Sequence, residues 1–285
     1  MKFLVKIALA TSLFFPILYA ESMGDLSKEL ANPLAQIWNL SFVYNHTVVK
    51  SDVVSGSESI DSTLFQPILP TKLDNGMTFF VRPVFTFIDA PTDGYIDNSN
   101  PSNPVAIGTK RESKIGDTII AVGAGSSSQS GWSYGLGGTF ILPTSKHDLV
   151  ASHQYQAGPS IMAFWANKDW SVGTLAQHWW GICDDGTNDV TMANHTDIQY
   201  FVVRHLPNAW QIRTSPHITY DWTKSSKDAL TFPIALGFGK MVKLGKMPVM
   251  LMAEYQKSII KPETVGNDYT LMFQANFIIQ NPFAK

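Results

Sequence analysis

Apolar residues recur at every second position through most of this chain. The stretch DYTLMFQANFIIQNPF places Tyr269, Leu271, Phe273, Ala275, Phe277 and Ile279 on one face, with Thr270, Gln274 and Asn276 on the other. In AWQIRTSPHITYDW, Trp210, Ile212, Thr214, Pro216, Ile218, Tyr220 and Trp222 share one parity. Gln211, Arg213, Ser215, His217, Thr219 and Asp221 share the opposite one. GMTFFVRPVFTF sets Met77, Phe79, Val81, Pro83, Phe85 and Phe87 against Arg82, and LTFPIALGFGK sets Leu230, Phe232, Ile234, Leu236 and Phe238 against small residues. MPVMLMAEYQK opposes Val249, Leu251, Ala253 and Tyr255 to Met250, Met252, Glu254 and Gln256. Successive side chains of a strand point to opposite faces of its sheet, so a period of two predicts strands. About twelve are expected, over 36–50, 59–72, 77–89, 115–126, 131–143, 151–165, 169–182, 192–206, 209–223, 230–243, 247–260 and 268–280. Each approaches the roughly 9–11 residues that a tilted membrane-spanning strand requires.

The connections sort into two alternating sets. LDNG, SSSQSG, NKD, PN and LGKM are short and turn-like, and Asp74-Asn75-Gly76 is a strong hairpin signal. SDVVSGSES, the stretch over 89–114, TSKHDLV, CDDGTNDVTM, KSSKD and KPETVGN are longer and polar. Short turns at one rim and long loops at the other, with an even strand number, describe an up-and-down transmembrane barrel. Trp38, Trp132, Trp165, Trp170, Trp210 and Trp222 fall near segment ends, where interfacial aromatic girdles lie. Pro67, Pro83, Pro159, Pro216 and Pro233 lie inside predicted strands, so each should mark a bulge or a strand end. The segment near 195–206 mixes its faces, because Arg204 shares a parity with Ile198, Tyr200 and Val202. Helix signals are confined to the amphipathic GDLSKELANPLAQI.

Composition narrows the partners. A net charge of -2 gives no electrostatic case for nucleic acid, and the single cysteine, Cys183, rules out an intrachain disulfide. The opening MKFLVKIALATSLFFPILYA has a basic start at Lys2 and Lys6, an apolar run to Tyr19, and Ala20 before Glu21. It reads as a secretory signal peptide over 1–20, followed by a periplasmic lead-in over 21–35 and a barrel over 36–285. No later run approaches the roughly 20 apolar residues of a spanning helix, so membrane entry requires a closed barrel.

The ordered pieces LANPLAQIWNLSFVYN, LFQPILP, RPVFTF, GWSYGLGGTFILPT, AGPSIMAFW, GTLAQHWWG, AWQIRTSPHITYDW and FPIALGFGKMVKLGKMPV carry a resemblance. From about Leu30 to Phe283 the chain resembles bacterial outer-membrane barrels related to the MetA-pathway phenol-degradation outer-membrane proteins, a family whose members often carry the labels transporter or neuromedin U. The resemblance implies an outer-membrane channel for small, hydrophobic or aromatic solutes. It supplies no catalytic motif. One departure is that Phe283 is followed by Ala284 and Lys285, whereas such barrels often end on an aromatic residue.

Candidate chemistry is sparse. The histidines show no HxxxH or HxH spacing and no GxSxG elbow occurs, so neither a metal site, an enzyme nor a cofactor is expected. The Asp- and Asn-rich DAPTDGYIDNSNPSN invites a calcium reading but lacks the helix-loop calcium pattern. Lys110, Arg111 and Lys114 offer contact with lipopolysaccharide. An Arg or Lys facing lipid at mid-depth costs roughly 2–4 kcal/mol, which directs polar strand residues inward. Gln66, Arg82, Arg213, His217, Asp221, Glu254, Gln274 and Asn276 are therefore the lumen-facing candidates. They either set the selectivity of a pore or pair with one another and fill it. Expected partners are outer-membrane lipid and lipopolysaccharide, the barrel-assembly machinery and a small solute. A non-conducting barrel with a structural or surface-binding role, and a soluble secreted β-sandwich or ligand-binding barrel, are the competing expectations.

Overall fold

The computed structural model describes residues 22–281, apart from 33, 53–55, 98–104, 148–149, 187–190 and 280. The expected signal peptide and the Phe283 to Lys285 tail lie outside the described residues.

Fourteen strand segments form one antiparallel sheet closed on itself. They are β1 (Trp38–Lys50), β2 (Ser57–Lys72), β3 (Thr78–Asp97), β4 (Val105–Ile115), β5 (Thr118–Ser127), β6 (Trp132–Leu142), β7 (Gln154–Ala166), β8 (Trp170–Asp184), β9 (Asn194–Leu206), β10 (Trp210–Thr214), β11 (His217–Asp221), β12 (Leu230–Leu244), β13 (Met247–Ile260) and β14 (Gly266–Ile279). They make a twelve-stranded barrel, because β4 runs on into β5 and β10 into β11. The ring closes where β14 meets β1, from Trp38↔Ile279 through Tyr44↔Phe273. A closed ring excludes the two-sheet sandwich.

Two expected segment boundaries change. The stretch over 89–114 is no mere loop. β3 and β4 continue as a hairpin from Phe87↔Ile115 to Asp97↔Val105. A hairpin standing clear of the barrel body needs no apolar face, so its residues carry no period-two signal. Arg111 ties this hairpin to the barrel, donating from Nε to Asp89 Oδ1 (2.7 Å) and from Nη2 to Asp61 Oδ2 (3.3 Å). The expected strand over 209–223 is broken between Thr214 and His217, because Pro216 has no N–H to give a ladder.

The other prolines also sit at irregularities. Pro233 adjoins a register shift at Phe232/Pro233. Pro67 and Pro83 fall opposite each other between the pairs Phe65↔Phe85 and Leu69↔Val81, and the β2–β3 ladder is interrupted there. Pro159 falls where the β7–β8 ladder passes from Ala157↔Trp180 to Ser160↔Gln177. Gly158 beside it is forced: an added Cβ would lie 1.8 Å from the His178 carbonyl oxygen.

Polarity is distributed in reverse of a water-soluble protein. Leu236 (59%) and Phe273 (52%) are exposed on the outside, and Phe42, Phe65 and Phe85 stack there as a continuous strip. Ser41, Thr139, Ser171 and Asn276 are buried inside. Arg204 is explained by its place at the short-turn rim, where it lies 5.0 Å over the Trp170 ring and pairs with Asp169 at 3.5 Å.

The lead-in carries helix α1 (Met23–Leu30), and it is folded into the barrel. Ser22 caps it, its Oγ accepting from the Asp25 backbone N–H at 3.2 Å. Leu26 packs among Ala209, Met241, Met250, Met252 and Ile278. On the polar side, Gln211 Nε2 donates to the Ser27 carbonyl oxygen (3.1 Å) and Oγ (2.8 Å). These partners lie beside the short turns, so α1 stands in that mouth of the barrel.

Candidate functional site

Inside the ring is a cavity of about 520 Å³, whose lining includes Ser27, Leu30 and Ala31 at the helical end. This is within the roughly 300–1,000 Å³ usual for small-molecule sites. Gln66, Arg82, Arg213, His217, Gln274 and Asn276 all line it.

These side chains form three separate groups. The first lies at the seam between β1 and β14. Gln274 Nε2 donates to Ser41 Oγ (2.9 Å) and Asn276 Oδ1 (3.0 Å), and Asn39 Nδ2 donates to the same Asn276 oxygen (3.2 Å). The polar residues here stitch the closure.

The second group is centred on Glu254, which is 3% exposed. Its Oε1 accepts from the Ser215 backbone N–H (3.1 Å) and Gln256 Nε2 (2.9 Å), and its Oε2 from Ser215 Oγ (3.0 Å). Arg213 completes it, with Nε 3.7 Å from Oε2 and Nη2 donating to Ser215 Oγ at 3.0 Å. The break at Ser215-Pro216 leaves a backbone donor without a ladder partner, and Glu254 supplies the acceptor. His217 Nδ1 is 2.8 Å from Asp197 Oδ1 on the neighbouring β9. Asp221 stands apart at the long-loop rim, where Oδ1 accepts from the Thr223 N–H (2.9 Å) and Oγ1 (2.6 Å).

The third group is Arg82 with Gln66. Arg82 Nη2 donates to Gln66 Oε1 at 2.6 Å, and its Nε has no partner. The bond crosses from β3 to β2 at the level where Pro67 and Pro83 interrupt the ladder. Sequence reasoning did not single out Asp197, Phe80, Trp179 or Phe201, which share this cavity. For Asp197 and Phe201 the signal was available, since the parity opposite Ile198 and Tyr200 contains both.

Among the described residues no group of three His, Cys, Asp or Glu is placed to hold a metal ion. Outside the strands, the long loops are tied to each other. Asp228 Oδ1 accepts from the Thr264 N–H (2.9 Å) and Oγ1 (2.8 Å), and these bonds hold its carboxyl below the usual value of 3.8.

A closed antiparallel ring with polar groups inside and apolar groups outside defines the class as a β-barrel of the membrane type. No protein-family model matches the chain, and no curated protein matches it in sequence. Among solved structures it is similar to an outer membrane channel from Pseudomonas putida F1, with a TM-score of 0.66 and 11% identity over 86% of this chain and 96% of that one. It is also similar to the translocator domain of the autotransporter NalP from Neisseria meningitidis, with a TM-score of 0.50 and 6% identity over 85% of this chain and 87% of that one. At these identities the likeness is one of fold.

Proposed function

We propose that the chain is an outer-membrane barrel that passes small solutes, and that α1 holds its short-turn mouth closed at rest. The observation that carries this reading is the reversed polarity. Leaving one large apolar side chain in water rather than burying it forgoes roughly 1.5–3 kcal/mol. The outside repeats that exposure at Phe42, Phe85, Ile161, Leu236, Phe238 and Phe273, which suits lipid. The closed ladder leaves no sheet edge for lipid to meet.

The relation to the MetA-pathway proteins, and the preference for hydrophobic or aromatic solutes, rest on the sequence resemblance. Phe80, Trp179 and Phe201 on the cavity wall support that preference. No arrangement in the cavity suggests catalysis, and we read the protein as a non-enzyme. The lipid around it, lipopolysaccharide at the long-loop rim and the barrel-assembly machinery are its proposed partners. Arg111 and Lys114 are each matched by a carboxylate, which weakens their part in a lipopolysaccharide contact.

Extraction of the outer-membrane fraction, with electrophoresis before and after heating, should give a detergent-dependent protein whose band shifts on heating. Planar bilayers should then show conductance steps. Protein that stays in aqueous solution without detergent would overturn the membrane reading. A second reading, a non-conducting barrel, is favoured by the seating of α1 in the mouth. Folded protein that gives no steps, even with residues 22–31 removed, would establish it.

A further inference from the structure

We propose that the cavity binds a monoanionic solute with an apolar body, of the aromatic monocarboxylate class, and that Arg82 recognises its charge. The proposal deepens the channel reading by naming the solute, although binding alone does not need conduction.

The chain has four arginines. Arg111 pairs with Asp89 at 2.7 Å, Arg204 with Asp169 at 3.5 Å and Arg213 with Glu254 at 3.7 Å. Among the described residues Arg82 alone has no carboxylate within 4.0 Å. Its one side-chain partner is the neutral oxygen of Gln66. A guanidinium cannot shed its charge, and inside a low-dielectric wall an uncompensated charge is costly. Arg82 borders the cavity, so the counter-charge has a route to it. Gln66 holds one edge of the fork without neutralising it, which leaves Arg82 attractive to an anion. A planar carboxylate matches a guanidinium fork better than other anions of its size.

The rest of the solute is specified by the surroundings. Phe80 and Val84 flank Arg82 on the inner face of β3, and Ile119 lines the cavity on the adjoining β5. Leu175, Trp179 and Phe201 complete an apolar wall. Such a surface favours an aromatic or aliphatic body over a polyol. A second negative charge would meet Asp197 on the cavity wall, which already engages His217. One guanidinium with no carboxylate in contact, and only the charge of Asp197 acting on it from beyond ion-pair distance, therefore selects one carboxylate on a compact apolar frame in a cavity of about 520 Å³.

Arg82 also bridges the interrupted β2–β3 ladder, so the test must separate recognition from strapping. Wild type, Arg82→Gln and Arg82→Lys are folded in detergent, and each is confirmed by its heat-dependent electrophoretic shift. Quenching of tryptophan fluorescence is titrated with benzoate, with neutral benzyl alcohol and with dianionic phthalate, at pH 7 and constant ionic strength. Benzoate is expected to saturate at least tenfold below either comparator. Arg82→Gln should remove that advantage while leaving benzyl alcohol unchanged, and Arg82→Lys should weaken benzoate several-fold. Equal binding of benzoate and benzyl alcohol by wild type overturns the proposal, as does a benzoate advantage that survives in folded Arg82→Gln. If Arg82→Gln does not fold, the same judgement passes to Arg82→Lys, in which an undiminished benzoate affinity overturns it. Benzoate binding that depends on Arg82, in a protein that gives no conductance even with residues 22–31 removed, would sink the channel and keep this proposal. Conductance without a benzoate preference would do the reverse.

Discussion

Glu254 illustrates what single residues do in this barrel. Its position on β13 faces the one place where β10 and β11 fail to join, and its two oxygens take the Ser215 N–H and hydroxyl together with Arg213 and Gln256. Glu254→Ala leaves a buried guanidinium without its counter-charge and the Ser215 backbone donor without an acceptor, a loss of about 3 kcal/mol or more. The heat-shift midpoint on electrophoresis should fall clearly, and Glu254→Gln, which keeps an acceptor oxygen, should lose less. Equal midpoints for wild type and Glu254→Ala would refute the clamp. Parity alone assigned Arg82, Arg213 and Glu254 inward. Parity could not tell Arg82 from Arg213, because neither has a carboxylate among its same-face neighbours, Phe80 and Val84 for the one and Gln211 and Ser215 for the other. What separates them is Glu254, 41 positions from Arg213 and brought close only by the β12–β13 turn. Contacts across several strands leave no local trace in a sequence.

The elements differ in how far they could be read. The strands were legible because each stands between two media, and alternation records both. The hairpin of β3 and β4 beyond Asp89 was not, since away from the barrel body neither face requires an apolar side chain. Helix α1 was legible as a short amphipathic segment, but its destination was not, because an apolar stripe fits any apolar wall. Its seat depends on Leu26 among three methionines and on Gln211 holding Ser27. Leu26→Asp should unseat the helix and leave the barrel intact. In planar bilayers the variant should show larger or more frequent steps than wild type, with an unchanged heat shift. Steps identical to wild type would mean that α1 does not close the mouth.

The long loops have a pH-dependent tie of their own. Asp228 is held below its usual 3.8 by the Thr264 N–H and hydroxyl. A carboxyl depressed in the folded state contributes fully above its unfolded value and is lost as pH falls through its folded one. The Asp228–Thr264 clasp should therefore hold from neutral pH down to that value and open only below it. Pepsin, active across this range, should cut 222–229 more readily at the acid end in wild type. In Asp228→Ala, which has no acceptor for the Thr264 N–H and hydroxyl, the cutting should be rapid throughout. Indifference of wild-type cleavage to pH, measured against a control substrate, would refute it.

At the scale of the whole molecule, the strand count and the sorting of turns and loops were both legible, because closure imposes them together. An even count lets the last strand meet the first antiparallel, as β14 meets β1, so no edge is left unpaired. Position within the ring was less legible: prolines flagged the irregular levels without saying that Pro67 and Pro83 would face each other. That coincidence also places Arg82 and Gln66, since a side-chain bond there stands in for missing backbone ones.

The seam has a consequence for how the chain's order should be understood. β14 lies on β1 in the same antiparallel ladder as any hairpin pair, and Asn39, Ser41, Gln274 and Asn276 fasten it from within. Only a connecting turn is missing there. Once the ring is shut, nothing in its hydrogen bonding marks where the ribosome started. The beginning of the barrel is a memory of synthesis, kept by a missing turn and by the helix that β1 trails into the mouth.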